Sequence, residues 1–531
     1  MDKQLFERNL LALSKMDGDL CARLSSAITT RGLYRFIESR TGESIPALTG
    51  PEGAARPLHS TVDPRKEGER LISTLSGEGY VILLGLGGGF AAEAALKREE
   101  TKKVLAIEYD RDGLAELLSA RDYILLFQDP RFRLLADPPG ELIAEYLLNS
   151  YFPALDGGIR VFPLRARADG DGRFTAAGDA IKGAIDAVSR DYSAQAYFGK
   201  RWFSNIIRNL PLAERQRSTL PPVKKALICA AGPSLEEDLP RIRDRRQGAF
   251  LIATDTSLPA LLQGGIEPEG VISIDCQHIS YHHFFLGLPA KTALFLDLAS
   301  PPPVAARTEN RFFFSSPHPL GVYIRRLWRP LPALDTSGAN VTYAAFSLAE
   351  TLGAGRIEVY GADFSYPRGK TYARGTYIYP YFEKLQTRFL PLEAQHSGFL
   401  YRDSSLRKQE EGDRWYYETQ SLRFYREALK RKTAAGAGGF GGGRKNLPLF
   451  SPGPMRQSAL DFLRSYRRSI EGLHSFAALE NPSGQEETEL AATLLPLAAS
   501  VRKNHPSFSS GELFEEVRTT SLRELSILIR S

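Results

Sequence analysis

The residues that could do chemistry begin at one stretch, Gly232-Pro233-Ser234-Leu235, which follows the apolar run Leu227–Ala231. That run is too short for a helix of its own and reads as a buried strand. Gly232 lets the backbone bend and approach a ligand closely. Ser234, with Glu237 three residues later, has the pattern of a capping box. A helix starting there would aim free N–H groups and its positive dipole end above the strand, an arrangement suited to phosphate. Later apolar runs end in polar groups too: Thr254-Asp255-Thr256, Asp275 with Gln277 and His278, Thr336-Ser337-Gly338 with Asn340, and Gly361-Ala362-Asp363. Each alone reads as an N-cap or loop residue. Their recurrence at one end of one sheet predicts a nucleotide cleft, because a sheet that needs only stability does not require a polar group at nearly every strand end.

The elements that must position these groups alternate between strand and helix. Candidate strands are 226–231, 250–254, 271–275, 293–298, 312–315 and 357–361. Candidate helices cover 235–245, 257–264 and 341–352. This alternation predicts an α/β fold with a mostly parallel, Rossmann-like central sheet covered on both faces, whose ligands sit outside the carboxyl ends of the strands.

A second glycine-rich turn lies upstream. Strand 80–84 is followed by Gly85-Leu-Gly-Gly-Gly89, a helix over 91–97 and strand 104–108, which ends in Glu108. This is close to a dinucleotide or S-adenosylmethionine fingerprint, although the glycines do not give a clean G-x-G-x-x-G. Either a ligand-free Rossmann-like domain or a cofactor site fits the pattern. Asp169-Gly-Asp171 reads as a turn.

The expected division is 1–70, helical and irregular; 71–165, Rossmann-like; 166–222, a helical connector; 223–430, the central domain that carries the expected nucleotide cleft; 431–447, a glycine-rich flexible segment; and 448–531, helical. Tyr192, Tyr197, Trp202 and Phe203 are the expected packing residues of the connector. The stretch from Lys370 to about Trp415, rich in Tyr, Arg and His, reads either as a loop packing its aromatics on the sheet or as a lid.

A net charge of +6 is small for 531 residues and does not call for nucleic acid. Three distant cysteines give neither a disulfide framework nor zinc spacing, which fits a reducing cytoplasm. The first residues lack a signal-peptide pattern, and the glycine-broken stretch 80–96 is better explained by a buried strand and helix than by a membrane span.

Four separated motifs carry a resemblance. Ala231-Gly-Pro-Ser-Leu235, the run Ile252–Pro268, Val271–Asp275 and Ile357–Ser365 resemble, in that order, the motility-associated-factor (Maf) proteins, whose central domain is 6-hydroxymethylpterin diphosphokinase-like. The pattern is also similar to that of bacterial sialyltransferases that use CMP-sialic acid. The resemblance covers roughly 225–375. It implies a glycosyltransferase that moves a nonulosonic acid, pseudaminic or legionaminic in type, from a CMP-activated donor to Ser or Thr of flagellin. It implies nucleotide contacts from Gly232, Pro233, Ser234, Leu235, Ser337 and Gly338, to which the polar strand ends add Asp255, Thr256, Asp275, Thr336 and Asn340 as candidates. The partners so implied are flagellin and the CMP-sugar, with neither nucleic acid nor a membrane span, and a homo-oligomer is compatible. No tightly bound cofactor is expected. No dense Asp-x-Asp motif stands in the right place, so no metal site is expected either. Where the family often carries histidine in a Lys-Thr-His-Ala-x-Gly pattern, Lys370-Thr-Tyr372-Ala-Arg-Gly375 has tyrosine. The candidate catalytic groups are then His396, Asp363 and Asp255. Competing readings are a pterin diphosphokinase using ATP and magnesium, a cofactor enzyme working through Gly85–Glu108, and a flagellin-binding assembly factor without catalysis.

Overall fold

The structure is a computed structural model that describes residues 2–26, 32–49, 55–216, 219–437, 450–480 and 484–530. The chain forms two units. The first is Met1–Tyr197 with Ala477–Ser483 and Arg502–Ser510; the second is Phe198–Phe476 with Gly484–Val501 and Gly511–Ser531.

The first unit opens with helices Lys3–Met16 and Gly18–Ser25. An antiparallel sheet follows, of β1 (Tyr34–Glu38), β2 (Ser44–Thr49) and β3 (Ala55–Pro57). The sequence predicts helical and irregular structure here, and the sheet departs from that. These strands are short, and β1 is exposed at Arg35 and Glu38, so no regular alternation marks it. Residues 50–54 of the Gly50–Pro57 turn cluster lie outside the described residues. A parallel sheet then forms in the order β6-β5-β4-β7, from β4 (Glu78–Leu84), β5 (Lys103–Glu108), β6 (Phe132–Ala136) and β7 (Gly158–Pro163). Its residues alternate between two cores. Val81, Leu83, Val104 and Ala106 face one, and Tyr80, Ile82, Leu105 and Ile107 face the other. Both faces are thus covered, which is why the strands read as unbroken apolar runs.

A helix spans Gly172–Glu214, with Pro211 inside it. It makes up most of the expected helical connector. Phe203 is buried and Trp202 packs edge-on against His318, whereas Tyr197 is 61% exposed, with Lys503 Nζ over its ring at 4.4 Å.

In the second unit six parallel strands form one sheet in the order β12-β11-β10-β9-β8-β13. They are β8 (Lys225–Cys229), β9 (Phe250–Thr254), β10 (Gly270–Ser273), β11 (Ala293–Asp297), β12 (Arg311–Phe314) and β13 (Arg356–Tyr360). The register sets Ile228 beside Ile252 on one side and Val359 on the other. Ala226, Ile228, Ile252, Ile272, Phe295 and Phe312 form a core with Ala344, Ala345 and Leu348 of helix Val341–Thr351. Past β13 the chain builds a cover. It contains helices Ile378–Leu385 and Leu392–Leu400, and a small sheet in the order β14-β16-β15, from β14 (Tyr366–Pro367), β15 (Arg407–Glu411) and β16 (Arg414–Glu418). Helix Gln420–Ala437 takes in the start of the expected glycine-rich flexible segment; residues 438–449 lie outside the described residues. Helices Ala459–Gly472, Gln485–Asn504 and Ser510–Arg530 complete the chain.

Candidate functional site

The central sheet begins at β8, runs out through β9 to β12, and returns to β13 on the other side of β8. The crevice beyond β8 and β13 is therefore its topological switch point, where doubly wound sheets take ligands. A cleft of 170 Å³ lies there. Its walls include Ala231 and Gly232 after β8, Thr254 and Thr256 after β9, Gly361, Asp363 and Ser365 after β13, and Thr371 and Tyr372 of the cover. Val341 and Thr342, the first residues of helix Val341–Thr351, close it from another side. Asn340 caps that helix: its Oδ1 accepts the Tyr343 N–H at 2.9 Å. The amides of Val341 and Thr342 have no acceptor among the described residues. They are free N–H groups on the wall of the cleft.

The opening turn is arranged differently from the expectation. Ser234 sits in helical conformation and its side chain caps nothing. The carboxylate of Asp363 accepts the Ser234 N–H at 2.9 Å, which removes the need for a side-chain cap. Gly232 donates to Gly361 O, Leu235 to Gly232 O, Glu236 to Pro233 O and Glu237 to Ser234 O. The turn's amides are thus spent within the protein. A Cβ at Gly232 would come 2.3 Å from Asp363 Oδ2, so only glycine admits the carboxylate. Asp363 is in this way a structural tie between β13 and the turn after β8.

Asp255 is also engaged. Its Oδ1 accepts from the amide and hydroxyl of Thr256, and its Oδ2 accepts the Ser273 hydroxyl at 2.6 Å. Asp275 accepts the Gln277 N–H; burial pushes its carboxyl up, and the nearby charge of Asp255 adds to this. Thr336, Ser337 and Gly338 do not line the cleft. Ser337 donates its amide and hydroxyl to Asp335, which also accepts from Tyr343 and Lys432. Those contacts outweigh the burial of Asp335 and hold its carboxyl far below the usual range. Two residues with side chains adopt left-handed backbone beside the cleft, Ala339 (φ 54°) and Phe364 (φ 45°). Such strain concentrates at ligand sites.

Several residues the sequence did not single out support the strand ends. Asn205 of the long helix donates to Cys276 O and Ala299 O, and Asn209 to Leu298 O and Ser300 O. Ser257 donates to Cys229 O, joining the ends of β8 and β9. His283 is buried, with Nδ1 unpartnered among the described residues, and the Tyr377 ring stands edge-on to it at 4.6 Å. Burial lowers its pKa. Nothing in the spacing of the chain marks these groups, because their partners are far away in sequence.

Beside the cleft lies a larger cavity of 1040 Å³, lined by Pro259, Gln263, His282, Phe285, Arg374, Tyr377, Glu383, Lys384 and His396. The segment 371–377 borders both spaces, Thr371 and Tyr372 on one and Arg374 to Tyr377 on the other. Glu236 ties this segment down by accepting from Lys370 Nζ at 2.6 Å and from the Arg374 amide. His396 packs on Tyr379 and Phe382, and burial lowers its pKa, which favours the neutral ring. Tyr372 stands where the resemblance implies a histidine. Burial pushes its phenol far above the usual range, so it can donate a hydrogen bond but does not act as a base. Arg402 stacks on Phe399, 3.7 Å from the ring centroid, and its charge acts on the phenols of Tyr372 and Tyr377. It forms no ion pair among the described residues.

The upstream glycine turn is plugged. Glu108 is buried and accepts from Leu86 N, Tyr109 N and Arg167 Nε, leaving no carboxylate for a ribose. His59 Nε2 accepts the Gly88 N–H at 2.8 Å, and a Cβ at Gly87 would come 2.5 Å from the same atom.

The second unit is thus a parallel sheet with a cleft at its switch point and a helical cover. Comparison with known proteins narrows this. Residues 200–369 match the family model for 6-hydroxymethylpterin diphosphokinase MptE-like proteins. The whole chain superposes on a Maf glycosyltransferase from Magnetospirillum magneticum AMB-1 with a TM-score of 0.61 at 15% identity, covering 100% of this chain and 96% of that one. The chain thus has the Maf glycosyltransferase fold. Two uncharacterized proteins of Treponema pallidum (strain Nichols) are each 38% identical to it, over 109 and 125 residues. These stretches are 20% and 23% of this chain and 52% and 44% of the relatives, so the chain spans about half the length of the curated relatives it matches. Among the described residues no helix is long and apolar enough to cross a membrane.

Proposed function

We propose that this chain is a glycosyltransferase that moves a nonulosonic acid from a CMP-activated donor to Ser or Thr of flagellin, in the cytoplasm and without a metal. The observation that carries the reading is the switch-point cleft, walled by the free amides of Val341 and Thr342 and by Thr371 and Tyr372 of the cover, with the charge of Arg402 acting on the Tyr372 phenol. In this reading the two amides, at the positive end of their helix, hold the donor phosphate. Arg402 faces the sugar carboxylate. Thr371, whose buried hydroxyl has no hydrogen-bond partner among the described residues, supplies a hydroxyl to the nucleotide. The acceptor enters the neighbouring cavity, where neutral His396 takes the proton of its hydroxyl. The acceptor oxygen bonds to the anomeric carbon as the bond from that carbon to the phosphate oxygen breaks, and CMP leaves with the electron pair. The transition state has oxocarbenium character, so charge placement dominates the rate. Asp255 and Asp363 act as positioning residues.

The test is transfer to purified flagellin from CMP-pseudaminic or CMP-legionaminic acid, read as a mass increase, with CMP stabilisation measured beside it. At a hundredfold excess over Kd, CMP would add about 2.7 kcal/mol, a melting shift of several degrees. Arg402→Ala should raise the donor KM about tenfold with little change in kcat, as expected for loss of one charge-assisted contact. The family match favours one other reading, diphosphoryl transfer from ATP to a pterin. Stabilisation by ATP and magnesium, with none by CMP, would select it.

A further inference from the structure

The first unit contains a cavity of 740 Å³ that the proposed transfer leaves unused. Its size suits a small organic ligand. Its place in the fold points the same way. In the order β6-β5-β4-β7 the chain starts at β4, moves out through β5 and β6, and returns to β7 on the other side. The crevice between the carboxyl ends of β4 and β7 is thus this sheet's own switch point, and the cavity occupies it. The plugged glycine turn forms only one edge.

The walls state what would bind. The floor is apolar and buried, made by Leu58, Leu83, Leu86 and Phe162. At the rim stand three exposed guanidinium groups, Arg56, Arg70 and Arg165. None of the three forms an ion pair or a side-chain hydrogen bond among the described residues. Elsewhere in the same unit Arg65, Arg121, Arg131, Arg167 and Arg173 are all paired with carboxylates. Glu67 also lines the space, but it is engaged by the Ser60 amide and by His59 at 3.5 Å, and Arg70 acts on it only through space. The dinucleotide reading fails here because Glu108 is sealed against Arg167.

We infer that this cavity binds a free organic anion with an apolar body, its carboxylate or phosphate head at Arg56, Arg70 and Arg165 and its body on the Leu58–Phe162 floor. The site is separate from the transfer cleft and does not depend on that reading. Burying an eight- or nine-carbon body would supply the affinity, at roughly 0.8 kcal/mol per methylene, and the arginines would select the charge.

Calorimetric titration of the full chain tests this, with decanoate and decyl phosphate below their micelle concentrations, and with decanol, inorganic phosphate, CMP and phosphatidylglycerol vesicles alongside. The expected result is one site per chain for both anionic amphiphiles, with decanol and inorganic phosphate at least about tenfold weaker. The double variant Arg70→Ala/Arg165→Ala should weaken decanoate about tenfold while the melting temperature stays unchanged, since both side chains are exposed and unpaired. Decanoate should bind equally well with CMP present. The inference is overturned if neither amphiphile binds, if decanol binds as tightly as decanoate, if the arginine variant binds normally, if CMP competes, or if only the vesicles bind.

Discussion

Burial decides which polar groups of the second unit respond to pH, and His318 shows this most simply. Its Nδ1 accepts the Leu320 N–H at the start of helix Pro319–Leu327, so the ring must be neutral, with its proton on Nε2. That Nε2 is buried with no partner among the described residues. Burial lowers the pKa from 6.5 to about 4. Because the folded value lies below the unfolded one, the neutral ring's contribution is complete above pH 6.5 and is lost as pH falls toward 4. The difference of 2.5 units corresponds to about 3 kcal/mol. His318→Asn keeps a capping oxygen and does not titrate. Urea unfolding of the two proteins should therefore give stabilities whose difference shifts by about 3 kcal/mol in favour of the variant between pH 6.5 and pH 4. A difference that stays flat over that range would mean the ring is hydrated or paired in solution. His396 differs from His318 in lining an open cavity, which is why it, rather than the better-buried ring, is assigned proton transfer.

Elements were legible in the sequence wherever both of their faces are buried. The six strands of the central sheet lie within about two residues of their apolar runs, because covered parallel strands leave continuous Val, Ile, Leu and Phe behind. The hairpin β15–β16 carries Arg407, Lys408, Glu410, Glu411 and Arg414 and is largely exposed, so nothing in its pattern separates it from a loop. The capping box at Ser234 was legible and misleading for one reason: its amide is taken by Asp363, 129 residues away. Local chemistry cannot see a partner at that distance, and the same holds for Glu108 and Arg167, 59 residues apart. Asn340 is the opposite case, a cap made within three residues. Asn340→Ala should cost about 1 kcal/mol of stability by loss of the cap. It should also weaken CMP binding, since the same turn aims the amides of Val341 and Thr342. Asn340→Ser should restore both. Restored stability without restored CMP binding would separate the cap from the ligand site.

At the scale of the molecule, one architectural rule appears twice. Each unit has a parallel sheet that starts at an inner strand, builds outward and returns on the far side, and each has a cavity at the resulting switch point. The two cavities differ in their walls. Free helix amides and hydroxyls mark the one in the second unit, whereas an apolar floor under three arginines marks the one in the first. Repeating the topology without repeating the chemistry implies two ligands of different kinds. Hydrogen exchange on the full chain can separate them in one experiment. CMP should slow exchange in peptides covering 230–235, 254–257, 340–344 and 361–377, by up to about a hundredfold at a hundredfold excess over Kd for amides that exchange through opening of the site. Decanoate should protect 56–60, 83–91 and 162–166 and leave the first set unchanged. If either ligand protects both sets, the cavities are not independent sites; if CMP protects only the first unit, its glycine turn opens in solution and the assignment of the nucleotide to the central sheet is wrong.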